Sequence, residues 1–191
     1  KPRAGSRSRS LLRRRRRLGA VVMAHWALRL LKHRALDERD ARRMLSKDAL
    51  ARIEARVAAS EKRHSGEIRV AVEAGLPLSY LRRRATPRER AIAMFAKLNV
   101  WDTERNNGVL IYLLLAEHAI EIVADRGLNR HVGAAEWAQI AETMKTAFRD
   151  GDYEGGLLRA VDAVDALLVR HFAAEPGDRD INELPDAPVM R

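Results

Sequence analysis

Residues 105–128 read RNNGVLIYLLLAEHAIEIVADRGL, and this stretch decides the fold. The turn signal Asn-Asn-Gly at 106–108 precedes an unbroken apolar run over 109–115. A short polar break then leads into a second run over 119–124, which alternates in polarity. Two such runs around a short polar break predict a β-hairpin, and the unbroken first run indicates a strand buried on both faces. We interpret the hairpin as the centre of a sheet and its ends as the functional edge.

Apolar spacing around the hairpin predicts one more strand and four helices. Thr86, Pro87 and Glu89 form a helix-start signature. We expect that helix to turn its apolar residues inward, namely Ala91, Ile92, Phe95 and Leu98. The predicted elements are a helix over 47–62, a strand over 67–73, a helix from 87 to about 99, a helix from 133 and a helix over about 157–172. This order predicts a layered α/β domain over residues 46–173.

The basic charge is concentrated at the N-terminal end of the chain. Residues 1–45 hold 15 Lys/Arg against 3 Asp/Glu, whereas residues 46–191 hold 21 against 23. We interpret 1–25 as a disordered basic leader outside the native fold, with Met23 as the favoured natural start, and 26–45 as a basic amphipathic helix. Residues 174–191 are rich in Pro, Gly and Asp, which predicts an irregular tail.

Several compartments and classes of protein are disfavoured by the composition. The chain has no cysteine, which excludes disulfides and cysteine-ligated metals. No apolar run approaches the ~20 residues of a membrane span. The sequence favours a cytoplasmic protein, with peripheral attachment to a membrane as the alternative and export less favoured. The arginine runs could bind RNA, but no aromatic residues interleave with them to stack on bases, so nucleic acid is a disfavoured partner.

Carboxylates are the candidate chemical groups, because phosphate loops, nucleophile elbows and paired metal-binding histidines are absent from the sequence. Glu67, Asp102 and Asp125 lie at predicted strand ends or in adjoining loops, where α/β proteins place ligand sites. Calcium and magnesium take such oxygen ligands, although each residue could also be a simple surface carboxylate. The acidic turn at 150–155 imitates half of a calcium loop, but its twelfth position is Val161, so we interpret it as a helix–helix turn.

Four segments together resemble the TPM-domain family, and the resemblance covers roughly residues 48–172. They read SGEI at 65–68, RNNGVLI at 105–111, IVADRGL at 122–128 and FRDGDYEGGL at 148–157. The family includes thylakoid lumen proteins proposed to be acid phosphatases and linked to photosystem II repair. The tail segment NELPD at 182–186 is similar to that of a short bacterial subgroup.

The resemblance implies a three-layer α/β/α sandwich around a small mixed sheet, with a divalent-metal cleft at the loop ends. It points to Glu67, Asn107 and Asp125 as ligands of Ca²⁺ or Mg²⁺, with Asp102 added on position alone. The commoner family form has glutamate where this chain has Asn129, so one acidic ligand is expected to be lost.

Three functions remain open from the sequence. The first is a non-catalytic binding or assembly module near the membrane surface, which would contact a protein partner or an anionic membrane through residues 26–45. The second is a weak divalent-metal-dependent acid phosphatase that hydrolyses phosphomonoesters. The third is RNA association through the basic N-terminus. The sequence leaves the oligomeric state open.

Overall fold

The computed structural model describes residues 26–174 and 182–191. The leader expected over 1–25 lies outside these residues. The chain divides into two units, 1–35 and 36–191. In the first unit, residues 26–35 form helix α1. The second unit contains the sheet and the other helices.

The second unit alternates helices and strands in the predicted order, with short additional elements. Its elements are α2 Glu38–Met44, α3 Lys47–Glu61, β1 Ile68–Glu73, α4 Leu78–Arg82, α5 Pro87–Lys97, β2 Val109–Leu114, a 3₁₀ turn Leu115–Glu117, β3 Ala119–Ala124, α6 Arg126–Asn129, α7 Ala134–Arg149, α8 Tyr153–Phe172 and β4 Val189–Met190. A side-chain cap begins α5 where the sequence predicted it, and another begins α8 a few residues earlier than expected. Thr86 Oγ1 accepts from Glu89 N at 3.2 Å, and Asp152 Oδ1 accepts from Gly155 N at 2.9 Å.

The four strands form one mixed sheet in the order β3-β2-β1-β4. β2 pairs antiparallel with β3 and parallel with β1, and β4 adds to the other side of β1 in parallel. The predicted hairpin is therefore present, and every residue of β2 is buried. Of the two hairpin strands, however, only β2 lies in the interior of the sheet, because β3 forms an edge.

Helices cover both faces of the sheet. Residues 109, 111 and 113 of β2 pack with α3, α7 and α8 in the main hydrophobic core. On the opposite face α5 contacts β2 and β3, and Leu81, Ala91 and Met94 are buried there. The three-layer α/β/α sandwich expected from the resemblance is confirmed.

The prediction for the inward face of α5 was correct for Ala91 and wrong for Ile92. Arg90, Ala91 and Met94 are the buried residues of this helix, whereas the side chain of Ile92 is 51% exposed. The cause lies on the sheet, where the carboxylate of Glu73 is buried beneath the helix. Arg90 forms a bidentate ion pair with Glu73. Helix α5 is therefore rotated so that it buries the guanidinium of Arg90, which helical periodicity had assigned to solvent.

The two ends of the described chain also differ from expectation. The helix expected over 26–45 is two helices, because Asp37 accepts hydrogen bonds from Arg39 N and Asp40 N at 2.7 and 3.0 Å and starts α2. The tail is not irregular throughout. Arg191 N donates to Val72 O at 2.9 Å, and Ala74 N donates to Arg191 O at 2.8 Å, so the last residues pair with β1. Along the described residues, no helix has both the length and the hydropathy that crossing a bilayer requires.

Candidate cation site at the sheet edge

Three of the four candidate residues lie at one end of the strands, where β1 and β2 begin and β3 ends. This boundary is called here the sheet edge. Glu67 directly precedes β1, Asn107 lies two residues before β2, and Asp125 directly follows β3. Val109 N donates to Glu67 O at 2.8 Å, and Asp125 N donates to Gly108 O at 2.9 Å. The strand pairing thus continues one residue past the sheet and sets Glu67, Gly108 and Asp125 side by side, with strands about 4.8 Å apart.

Glu67 is a buried carboxylate with one oxygen engaged and one unpartnered. Its Oε1 accepts from Glu183 N at 3.1 Å. Its Oε2 is buried and has no hydrogen-bond partner in the described part of the chain. Burial raises the pKa of Glu67 above its ordinary value, while the backbone N–H groups of Glu183 and Leu184 act in the opposite direction.

Asn107 is fully buried, and its surroundings fix which end of the amide is engaged. Its Nδ2 donates to Ser65 O at 3.0 Å and to Ser65 Oγ at 3.3 Å. Its backbone N–H donates to Thr103 Oγ1 at 3.1 Å. The amide oxygen Oδ1 is left buried without a partner among the described residues. The side chain therefore presents an acceptor, which is the end that a metal ion would use.

Asp125 caps α6 with one oxygen and leaves the other unpartnered. Its Oδ1 accepts from Arg126 N at 2.6 Å. Its Oδ2 is buried and lacks a hydrogen-bond partner within residues 26–174 and 182–191. Because Asp125 N is bonded to Gly108 O, the backbone of the site is held by the sheet itself.

Asp102 differs from the other three candidates. It is exposed and lies in the turn between α5 and β2, where its N–H donates to Asn99 O at 2.9 Å. The neighbouring residue Thr103 is buried and holds the backbone of Asn107. The structure therefore brings Glu67, Asn107 and Asp125 to one edge and leaves Asp102 at the surface.

Each of the three residues presents one buried oxygen without a hydrogen-bond partner among the described residues. A buried acceptor without a partner costs free energy, which a bound cation would offset. Carboxylate and amide oxygens are the ligands that Ca²⁺ and Mg²⁺ prefer. The described residues contain no metal-binding group of three or more His, Cys, Asp or Glu. A cation here would need the amide oxygen, with backbone carbonyls or water to complete its shell.

Two glycines let the loops of the site pack closely. A Cβ at Gly127 would lie 2.4 Å from Asn106 O, and a Cβ at Gly108 would lie 2.0 Å from Val100 O. Gly127 N also donates to Asn106 O at 2.8 Å. The Asn-Asn-Gly and Asp-Arg-Gly segments therefore pack against each other at Gly127, whereas Gly108 is needed because its backbone lies against Val100.

Asn129, which stands where the commoner family form has glutamate, has a structural role here. Its Nδ2 donates to Ala124 O at 2.6 Å, at the free edge of β3. A glutamate could not donate this hydrogen bond. The side chain is exposed, and its amide nitrogen is engaged by the strand.

Sequence reasoning missed two groups near the sheet. Glu183, in the tail, holds Glu67 through its N–H, and its carboxylate accepts from Glu104 N at 3.2 Å. The NELPD segment signalled the tail but not this contact. On the other face, Tyr112 OH donates to Glu73 Oε2 at 2.6 Å beside Arg90, and burial raises the pKa of Tyr112. No sequence signal marked this network, because Tyr112 lies within an apolar run.

The comparisons with known proteins agree with this fold. The chain matches the TPM domain family over residues 39–167, more than half of its length. Its fold is that of an α/β sandwich of the TPM type, and the chain belongs to the TPM domain family.

Two solved structures illustrate the relationship. The NMR structure of the BA42 protein from the psychrophilic bacterium Bizionia argentinensis is 27% identical, with a TM-score of 0.66, covering 76% of this chain and 94% of that one. The N-terminal domain of a protein from P. gingivalis is 21% identical, with a TM-score of 0.56, covering 70% of this chain and 83% of that one, and it shows likeness of fold alone. No curated protein matches the chain.

Proposed function

We propose that the chain is a non-catalytic binding module whose sheet-edge site holds one divalent cation. Glu67 and Asp125 would supply carboxylate oxygens and Asn107 an amide oxygen. The observation that carries the proposal is the set of three buried oxygens without partners, Glu67 Oε2, Asn107 Oδ1 and Asp125 Oδ2. A bound cation would compensate all three at once and would join the loops that precede β1 and β2 to the end of β3.

Calcium fits this donor set better than magnesium. Calcium accepts irregular shells of carboxylate, amide and backbone oxygens, whereas magnesium requires near-ideal octahedral geometry and retains several waters. The site has only two carboxylates, and their free oxygens are buried. We therefore infer a preference for Ca²⁺ over Mg²⁺.

Burial of the site supports binding over phosphomonoester hydrolysis. Metal-assisted hydrolysis needs an open coordination position for water and substrate. Each unpartnered oxygen is nearly inaccessible to solvent, and Glu67 is held further by the N–H of Glu183. A contact with a protein partner or an anionic membrane through residues 26–45, and RNA association through the basic N-terminus, stay separate predictions.

Titration calorimetry with calcium and magnesium tests the site. Asp125→Asn and Glu67→Gln each remove a charge while keeping the shape of the side chain. We expect calcium affinity to fall by about ten- to a hundredfold in each variant, since a carboxylate ligand is lost. Asp48→Asn, at the exposed start of α3, is the matched control and should bind as the parent does.

Two results would contradict the proposal. Equal calcium affinity in the parent and Asp125→Asn would remove Asp125 from the site. Calcium-dependent hydrolysis of p-nitrophenyl phosphate that disappears in Asp125→Asn would show that the chain is a phosphatase and not a binding module.

The calcium affinity of Asp102→Asn decides whether Asp102 takes part in the site. Because Asp102 is exposed, we expect the affinity of this variant to equal that of the parent.

A further inference from the structure

One outer layer of the second unit has a charge opposite to that of the remainder. This layer comprises residues 78–101, which contain α4 and α5, and is called here the α4–α5 face. It holds 6 Lys/Arg and 1 Asp/Glu, a balance of +5. The other residues of 46–191 hold 15 Lys/Arg and 22 Asp/Glu, a balance of −7. The charge is therefore segregated in space, because a single layer of the sandwich carries the excess of cations.

The same layer exposes large apolar side chains. The exposed fractions are 42% for Leu78, 51% for Ile92 and 51% for Trp101, and Phe95 is half-buried. Ile92 is exposed because α5 is rotated to bury Arg90 against Glu73. A single exposed leucine needs no explanation, but several large apolar groups on one cationic layer indicate a surface that is covered in use.

Half of the six cations of this face have no ion-pair partner among the described residues. Arg82, Arg84 and Lys97 are exposed, and none of them has an ion-pair partner in the described part of the chain. Arg83 lies 4.2 Å from the ring centroid of Tyr80 and 3.9 Å from Glu89. Arg88 lies 3.6 Å from Glu121, and Arg90 is buried with Glu73 and does not contribute to the outer surface.

We propose that the α4–α5 face docks on the surface of a membrane that contains anionic lipids. Arginine and lysine would lie at the level of the lipid phosphates, while Leu78, Ile92 and Trp101 would insert between headgroups. Tryptophan suits this position, because its ring is apolar and its N–H is polar. The acidic remainder of the unit is repelled by the same surface, so the charge segregation also orients the domain.

Nucleic acid and acidic protein are weaker fits to this face. Single-stranded nucleic acid is bound by aromatic side chains on which bases stack, and the exposed apolar groups here include two aliphatic residues, Leu78 and Ile92. The carboxylates of an acidic protein would pair with the arginines but would not bury the aliphatic side chains of Leu78 and Ile92. Lipid satisfies both the charges and the apolar groups.

A label at Ile92 tests the orientation directly. The chain has no cysteine, so Ile92→Cys in the full chain can carry one environment-sensitive fluorophore. Vesicles of phosphatidylcholine with about a third phosphatidylserine should shift its emission to the blue and allow quenching by spin-labelled acyl chains. Lys62→Cys, at the end of α3 in the opposite layer, is the matched control and should respond to neither.

Three outcomes of the labelling experiment overturn the proposal. The first is that the vesicles leave the emission of the Ile92 label unchanged. This result is also expected if residues 1–45 alone hold the protein on lipid, and it would contradict docking through the α4–α5 face. The second is that both labels respond equally, because adsorption would then lack orientation. The third is that single-stranded RNA, but not vesicles, shifts the Ile92 label.

Charge removal supplies an independent measurement. The triple variant Arg82→Gln, Arg84→Gln, Lys97→Gln removes three unpaired cations from the face. We expect its partition onto the anionic vesicles to fall by about tenfold or more, and binding to pure phosphatidylcholine to stay weak. The control triple Lys47→Gln, Lys62→Gln, Arg149→Gln removes the same charge from the other helical layer. An equal loss in both triples would mean that net charge alone governs binding and would contradict the proposal.

Discussion

At the scale of single residues, the site depends on which atom each side chain presents. The resemblance named Asn107 but could not say whether its oxygen or its nitrogen faces the other ligands. The carbonyl of Ser65 decides this, since it accepts from Nδ2 at 3.0 Å and leaves Oδ1 unpartnered. Ser65 precedes Gly66 and Glu67 in the SGEI segment, so one short loop both carries one proposed ligand and orients another.

Asn107→Asp should therefore destabilise the protein, although it adds a carboxylate to a cation site. Aspartate cannot donate to Ser65 O, so two acceptors would face each other in a buried position. We expect the free energy of unfolding without metal to fall by about 1–3 kcal/mol. Urea denaturation in the presence of a chelator measures this change. Stability equal to that of the parent would show that the hydrogen bond to Ser65 does not orient the amide.

At the scale of elements, the C-terminal residues complete the sheet beside a buried acid. Arg69 Nη1 donates to Ala187 O at 2.6 Å and also bonds Pro185 O, next to β4. Burial raises the pKa of Glu61 to about 9, although the N–H of Ile68 acts in the opposite direction, and Glu67 and Asp186 add repulsion. Glu61 is the last residue of α3. The tail therefore packs against the end of this helix, where burial favours the protonated form of the Glu61 carboxyl group.

The raised pKa of Glu61 predicts a stability that falls as pH rises. Between its ordinary pKa and about 9, the folded protein holds a proton that the unfolded chain has lost, so alkaline pH favours unfolding. Glu61→Gln should reduce this loss. If only a third of the shift is realised, the total loss from below pH 4 up to pH 9 is about 2 kcal/mol. Urea unfolding across this range, with Glu54→Gln on the exposed side of α3 as control, measures it. Parallel curves for the parent and Glu61→Gln would contradict the assignment.

At the scale of the whole molecule, a cation that joins three strand ends should stabilise the native state. Calcium at about a hundred times its dissociation constant contributes about 2.7 kcal/mol, which raises the thermal midpoint of a chain of this size by roughly 5–10 °C. Differential scanning calorimetry with and without calcium measures the shift. Asp125→Asn should show little shift. A shift of the same size in both proteins would place the stabilising ion elsewhere.

The sequence by itself determined the order of the elements, the helix caps and the hairpin, because these follow from local periodicity, turn residues and side chains within a few positions of one another. It also led to the correct family, and it placed Glu67, Asn107 and Asp125 beside strands. The tertiary structure decided the rest. It set β3 at an edge, turned α5 so that Arg90 meets Glu73, and left three oxygens buried at one end of the sheet. These features depend on partners that are far apart in the chain, and a single sequence carries no local signal of such pairings.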